Sequence, residues 1–194
     1  MRRARPFAAI AALVILVLLL WGVRRWADHR DATAAPIPGV PTRPADAIEM
    51  VMLYTYDGDT IQARAKTASK VITTTEPIRI RIVGINATGG TPTPQCWSQE
   101  ARAALAALLP KNSTIWVAPD RDSWDDYGRR LFSVWAADGT FVDYRMVADG
   151  NAEAIRVYPN ITNYPLLSAA QEAAERAKKG LWGVCGTFPP RPTS

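Results

Sequence analysis

Histidine is nearly missing from this chain of 194 residues: one occurs, His29, beside an apolar run and far in sequence from any cluster of candidate site residues. That scarcity disfavours a histidine general base, a Ser-His-Asp arrangement and a His-ligated zinc or iron centre. A metal site here has to be built from oxygen ligands, which suits calcium or magnesium. Cysteine is scarce as well. Cys96 and Cys185 stand far apart, so neither a C-x-x-C redox motif nor a zinc knuckle can form. Spacing leaves two readings open, a structural disulfide in an oxidising compartment or two unrelated buried thiols. A broad basic surface is also lacking, although the formal net charge is +5. Before residue 48 there are 7 Lys/Arg against 3 Asp/Glu, and from there onward 16 against 15. The basic character belongs to the N-terminal segment, and charge alone does not make the remainder a nucleic-acid binder.

What is present begins with residues 7–23, an uncharged apolar stretch long enough, at its lower limit, to span a bilayer as a helix. Arg2, Arg3 and Arg5 lie in the basic N-terminus, residues 1–6, and Arg24 and Arg25 follow the stretch. A cleaved signal peptide competes with this reading. The nearest small-residue cleavage pattern, Ala32-Thr33-Ala34, is separated from the apolar run by the charged segment 24–31, so an uncleaved single-pass anchor is expected. The cysteines and the single N-terminal span favour a cytoplasmic N-terminus, with the folded domain outside the cell membrane. Residues 24–47 carry Pro36, Pro38, Pro41 and Pro44 around Gly39, a composition that reads as a semi-rigid spacer. Residues 186–194 read as a disordered tail, which leaves one folded unit at 48–185.

Within that unit, the apolar and β-branched runs 51–56 and 60–64 flank Asp57-Gly58-Asp59 and predict a hairpin. Ile78-Arg79-Ile80-Arg81-Ile82 alternates with a period of two, a half-buried strand with both arginines on one face. Beyond Cys96, Ser98 is placed to cap a helix whose apolar positions Ala101, Ala104, Leu105 and Leu108 recur at helical spacing until Pro110. Strands follow at 114–118 and 131–135. Asp143 then caps a short helix closed by Gly150, and a last helix runs over about 164–179, with Gly180 as its stop. The pattern is α+β, a small OB-type β-barrel with about three helices.

Five motifs stand in order along this framework: Tyr56-Asp57-Gly58-Asp59-Thr60-Ile61, the strand running from Ile80 into Asn86, Asp126-Tyr127-Gly128-Arg129-Arg130-Leu131, residues 146–152, and residues 173–177 through Gly180-Leu181-Trp182. Together they resemble the staphylococcal nuclease (thermonuclease) family over essentially the whole of 48–185. The resemblance implies metal-assisted hydrolysis of phosphodiesters in DNA or RNA. It makes Asp59 the first calcium ligand, and Arg81 and Arg129 the two arginines that bind phosphate and stabilise the transition state. Arg79 keeps the plainer role of an exposed strand residue, and Asp57 that of a turn residue. The resemblance also favours a Cys96–Cys185 disulfide.

The chain departs from the family where acids are needed. Asn86 stands at the second calcium ligand and Gly89 at the water-activating glutamate, within Asn86-Ala87-Thr88-Gly89. A calcium site made of Asp59, Asn86 and the Ala87 carbonyl is weakened by the lost charge. Loss of a general base costs on the order of 10² to 10⁴ in rate. Tyr158, in the segment 156–160, either stacks on a nucleotide base or packs its loop. Three readings stay open. The first is a membrane-anchored nuclease relative with impaired or lost activity that binds nucleic acid, another phosphate-bearing ligand or a protein. The second is an active calcium-dependent external nuclease, and the third a barrel used for protein contacts alone.

Overall fold

The computed structural model describes residues 37–90, 93–125 and 127–189. The expected anchor at 7–23, the N-terminus before it and the spacer up to residue 36 lie outside the described residues, as do the last five. Among the described residues no helix is long and apolar enough to cross a membrane.

The described elements are, in order, β1 Ile48–Thr55, β2 Thr60–Ala65, β3 Ile78–Ile82, β4 Ile85–Asn86, α1 Ser98–Leu108, β5 Thr114–Ala118, β6 Arg130–Trp135, α2 Val142–Ala148, β7 Glu153–Ala154, α3 Tyr164–Arg176 and the single turn α4 Leu181–Val184. Strands β1, β2, β3, β6 and β5 close into a barrel in that order, while β4 and β7 form a separate two-stranded ribbon. The expected closed sheet with three helices is therefore present. Every barrel pairing is antiparallel except β3 with β6, which is parallel.

Alternation fills the barrel. Met50 and Met52 on β1, Ile61 and Ala63 on β2, and Ile80 and Ile82 on β3 all point inward and are buried. Ile115, Val117, Phe132 and Val134 complete the interior from β5 and β6. Helix α1 adds Leu105, α2 adds Val142, Met146 and Val147, and α3 adds Leu167 to the same core. Gly84, at φ +80°, makes the turn that carries the chain from β3 into β4, a left-handed conformation that glycine adopts without a Cβ penalty.

Three local expectations give way to tertiary contacts. Ser98 is the first residue of α1 rather than its cap. The cap position falls on Trp97 at φ 70°, and the buried Ser98 hydroxyl has no hydrogen-bond partner among the described residues. The last long helix stops at Arg176, and residues after Gly180 form the separate turn α4. Asp143 lies inside the first turn of α2, whose cap is Phe141. The second half of the Pro-rich spacer also lies on the barrel. Trp135 and Trp116 are cross-strand neighbours; the first donates its indole N–H to the Pro41 carbonyl at 3.1 Å, and the second lies 4.0 Å beneath the Arg43 guanidinium.

Cys96 and Cys185 form a disulfide that ties the segment before α1 to the end of α4, with their Cα atoms 6.1 Å apart. The bridge closes a separation of 89 residues. Reduction is therefore expected to lower unfolding stability by roughly 2–5 kcal/mol, read as a lower urea midpoint in the presence of a thiol reductant. Asp143 offers a second test. It is fully buried, its Oδ1 accepts the Val134 N–H at 3.0 Å, and its Oδ2 has no partner among the described residues. Burial pushes its carboxyl up to about 7, against the lowering effect of the Val134 hydrogen bond. A raised folded-state pKa means stability that is full below 3.8 and lost as pH climbs to about 7. The Asp143→Asn variant, which keeps the Oδ1 acceptor, should flatten that decline and exceed the parent's urea midpoint above pH 7.

Candidate active site

The turn between β1 and β2 is shaped by its own side chains. Asp57 Oδ1 accepts the Asp59 N–H at 3.0 Å, the local bond expected of a turn aspartate. Asp59 is thereby directed into the structure, where 5 % of its surface remains exposed. Its Oδ1 accepts the Thr60 hydroxyl at 2.9 Å and pairs with Arg81 Nε at 3.2 Å. Its Oδ2 accepts the Ala87 N–H at 2.6 Å. Burial raises the Asp59 carboxyl to about 6; the Arg81 charge and the Ala87 hydrogen bond lower it, while the neighbouring Asp57 adds to the rise. The same burial lowers Arg81, with the Asp59 charge opposing that shift.

Arg81 reaches this position because β3 alternates: Ile80 and Ile82 enter the barrel, and Arg79 and Arg81 leave it. The two arginines then diverge. Arg79 stacks on the Tyr56 ring at 4.2 Å, whereas Arg81 turns over the barrel rim. Arg81 Nη1 donates to the Ile82 carbonyl at 2.9 Å and Nη2 to Asn86 Oδ1 at 3.2 Å.

The second arginine arrives from another loop. Asp125 Oδ1 accepts the N–H groups of Tyr127 and Arg129 at 3.0 and 2.8 Å, and its Oδ2 pairs with Arg129 Nε at 2.6 Å. Burial pushes the Asp125 carboxyl up, but the Arg129 hydrogen bonds and charge outweigh it and hold the group below its usual range. Buried Asn160 accepts the N–H groups of Arg121 and Asp122 through Oδ1, which ties this loop to the segment after β7. Arg81, Arg129, Asp59, Asn86 and Ala87 consequently line one cavity of about 430 Å³, joined by Asp57, Asp125 and Tyr127.

Four positions add detail to that reading. The Ala87 N–H is given to Asp59 Oδ2. Tyr158 is 87 % exposed and is not among the residues lining the cavity, although Ile155 and Val157 beside it are. Tyr127, which motif reading passed over, stands at the cavity with its ring 5.5 Å from the Arg129 guanidinium and 85 % exposed. Its place in Tyr127-Gly128-Arg129 was the available signal. Glu153 gave no such signal. It pairs across the ribbon with Asn86, and its Oε1 accepts the Asn86 amide N–H at 2.8 Å. The Asn86 side chain is thus fixed, its NH₂ toward Glu153 and its oxygen toward Arg81.

These donors do not fit a calcium ion as they stand. Calcium takes six to eight oxygens, with affinity set largely by the carboxylate count. Here both Asp59 oxygens and the Asn86 oxygen already accept N–H or O–H donors, and among the described residues no three acidic, histidine or cysteine side chains gather as a metal cluster.

Residues 79–184 match the family described as staphylococcal nuclease homologue. A protein of Escherichia coli O157:H7 described as an uncharacterized endonuclease is 33% identical over 134 residues, covering 69% of this chain and 76% of that protein. A micrococcal nuclease of Shigella flexneri is 28% identical over 183 residues, 90% of this chain and 86% of its own. The chain's own fold supplies a closed barrel and a pocket lined by two arginines and a buried aspartate. This chain belongs to the staphylococcal nuclease homologue family.

The site rests on close packing at Gly58. A Cβ there would meet the Ala87 and Ala101 side chains at 2.6 and 2.7 Å, whereas one at Gly89 would meet only the end of Gln95 at 3.3 Å. Gly58→Ala should therefore cost about 1–3 kcal/mol in a urea titration, and Gly89→Ala should stay close to the parent.

Proposed function

We propose that this chain is a nuclease-derived phosphate-binding protein whose hydrolytic activity is impaired. The single observation that carries the reading is the cavity in which Arg81 and Arg129 converge while the acid set is reduced to Asp59, Asp57 and Asp125. Paired guanidinium groups suit the oxygens of a phosphodiester. Of the three acids, Asp59 is engaged by Arg81, Thr60 and Ala87, Asp125 by Arg129, and Asp57 by the turn it stabilises. Asp59 and Asp125 are each paired with an arginine, and Gly89 contributes no side chain. The ligand class is single-stranded nucleic acid or another phosphate-bearing molecule, with Tyr127 and Tyr158 as exposed rings on which a base can stack. The apolar run at 7–23 and the Cys96–Cys185 disulfide support a single-pass membrane protein with this domain outside the cytoplasm.

Restoring the acids tests the reading. Asn86→Asp alone would set a carboxylate against Glu153, whose Oε1 lies 2.8 Å from the Asn86 amide nitrogen, so the informative variant is Asn86→Asp/Gly89→Glu/Glu153→Gln. Single-stranded DNA is incubated with the full-length parent and this variant in calcium, and released nucleotides are measured. The variant should cut at least about 10²-fold faster. A parent that cuts as fast as the variant, with cutting abolished by a chelator, would show that the chemistry was never lost.

A further inference from the structure

We infer that the Arg81 guanidinium is the pocket's permanent cation, and that this site holds a phosphate group without any divalent metal. The inference rests on the phosphate-binding reading above and adds the identity of the charge that does the binding. The side-chain oxygens that would face a bound cation are those of Asp59 and Asn86. One guanidinium spans both: Nε sits 3.2 Å from Asp59 Oδ1, and Nη2 sits 3.2 Å from Asn86 Oδ1. Its third nitrogen, Nη1, is anchored to the Ile82 carbonyl at 2.9 Å. Asp59 Oδ2 is closed by the Ala87 N–H. A metal ion entering here must detach a guanidinium whose side chain is 11 % exposed, then leave that charge buried beside the incoming one.

A full negative charge at position 86 would reward a divalent ion for that exchange, but the residue there is a neutral amide. The neighbouring acid, Glu153, does not supply the missing charge to the pocket. Its carboxylate takes the NH₂ side of Asn86, and Glu153 is not among the residues lining the cavity. Asp59 is paired with Arg81 and Asp125 with Arg129, and Asp57, whose Oδ1 accepts the Asp59 N–H, is the third acid of the lining. Arg81 gives one N–H each from Nη1 and Nη2 to Ile82 and Asn86 while its Nε is ion-paired with Asp59, and the second N–H on Nη1 and on Nη2 is left for a ligand oxygen. Arg129 is tied through Nε to Asp125 and lines the cavity from the opposite loop. The two guanidinium groups make a clamp that needs no bridging ion.

The test is fluorescence anisotropy with the full-length chain and a labelled short single-stranded oligodeoxynucleotide carrying a terminal phosphate, in excess EDTA and in millimolar calcium. The dissociation constants in the two buffers should agree within about twofold, while Arg129→Ala should weaken binding about tenfold or more in both. Arg81→Lys, which keeps a charge on Asp59 but loses the spanning geometry, should weaken binding in both buffers while circular dichroism reports an intact fold. Binding that appears in calcium and vanishes in EDTA overturns the metal-free assignment and leaves the phosphate-binding reading standing. Absence of binding in both buffers, or binding indifferent to Arg129→Ala, overturns both.

Discussion

A carboxylate buried at the rim of a barrel is costly unless its lone pairs are met, and Asp59 is met by donors from three segments of the chain. Thr60 belongs to β2, Arg81 to β3, and the Ala87 N–H follows β4. The same aspartate uses its backbone carbonyl to accept the Ile82 N–H at 2.8 Å. One residue therefore joins the first turn, the central strand and the ribbon that leads to α1. Gly58 beside it lets the turn approach Ala87 and Ala101 closely enough for these bonds to form. The position of Arg81 over the Asn86 oxygen is bound up with that one buried carboxylate.

The two arginines are alike in chemistry and unlike in restraint. Arg81 is pinned at all three nitrogens by a residue on either side of it and by its own strand. Arg129 is held at Nε alone among its described side-chain bonds, on a loop organised by Asp125 and moored through Asn160. Such a pair combines a rigid charge with an adjustable one, which suits a ligand whose phosphate is constant and whose remainder varies.

Patterns that repeat were legible in the sequence, and single long-range contacts were not. The alternation of Ile78–Ile82, the hairpin around Asp57-Gly58-Asp59 and the apolar spacing of 101–108 each reflect a periodic backbone, and each element is present. Motif order carried the pairing of Arg81 with Arg129 into one pocket. Capping was misread because tertiary partners override a local preference. Trp97 gives its indole N–H to Asn151 beside the disulfide, and Asp143 is drawn across to the Val134 N–H. Glu153 stayed hidden since a ribbon of two residues per strand has no period to detect. The Pro-rich segment reads as spacer by composition, yet Pro41 and Arg43 cover two tryptophans that β5 and β6 present on one face.

The topology also bears on how the chain is assembled during synthesis. Strands β1, β2 and β3 pair in sequence order, but both seams of the barrel, β1 with β5 and β3 with β6, wait for strands that begin at Thr114 and Arg130. A chain growing from its N-terminus carries two open sheet edges through that interval, the exposure that invites wrong partners and chaperone engagement. Arg81 is made long before Arg129, and their pocket exists only once the parallel seam is shut. A truncated product ending before β6 would thus carry Asp59, Arg81 and Asn86 without the closed barrel that gathers them.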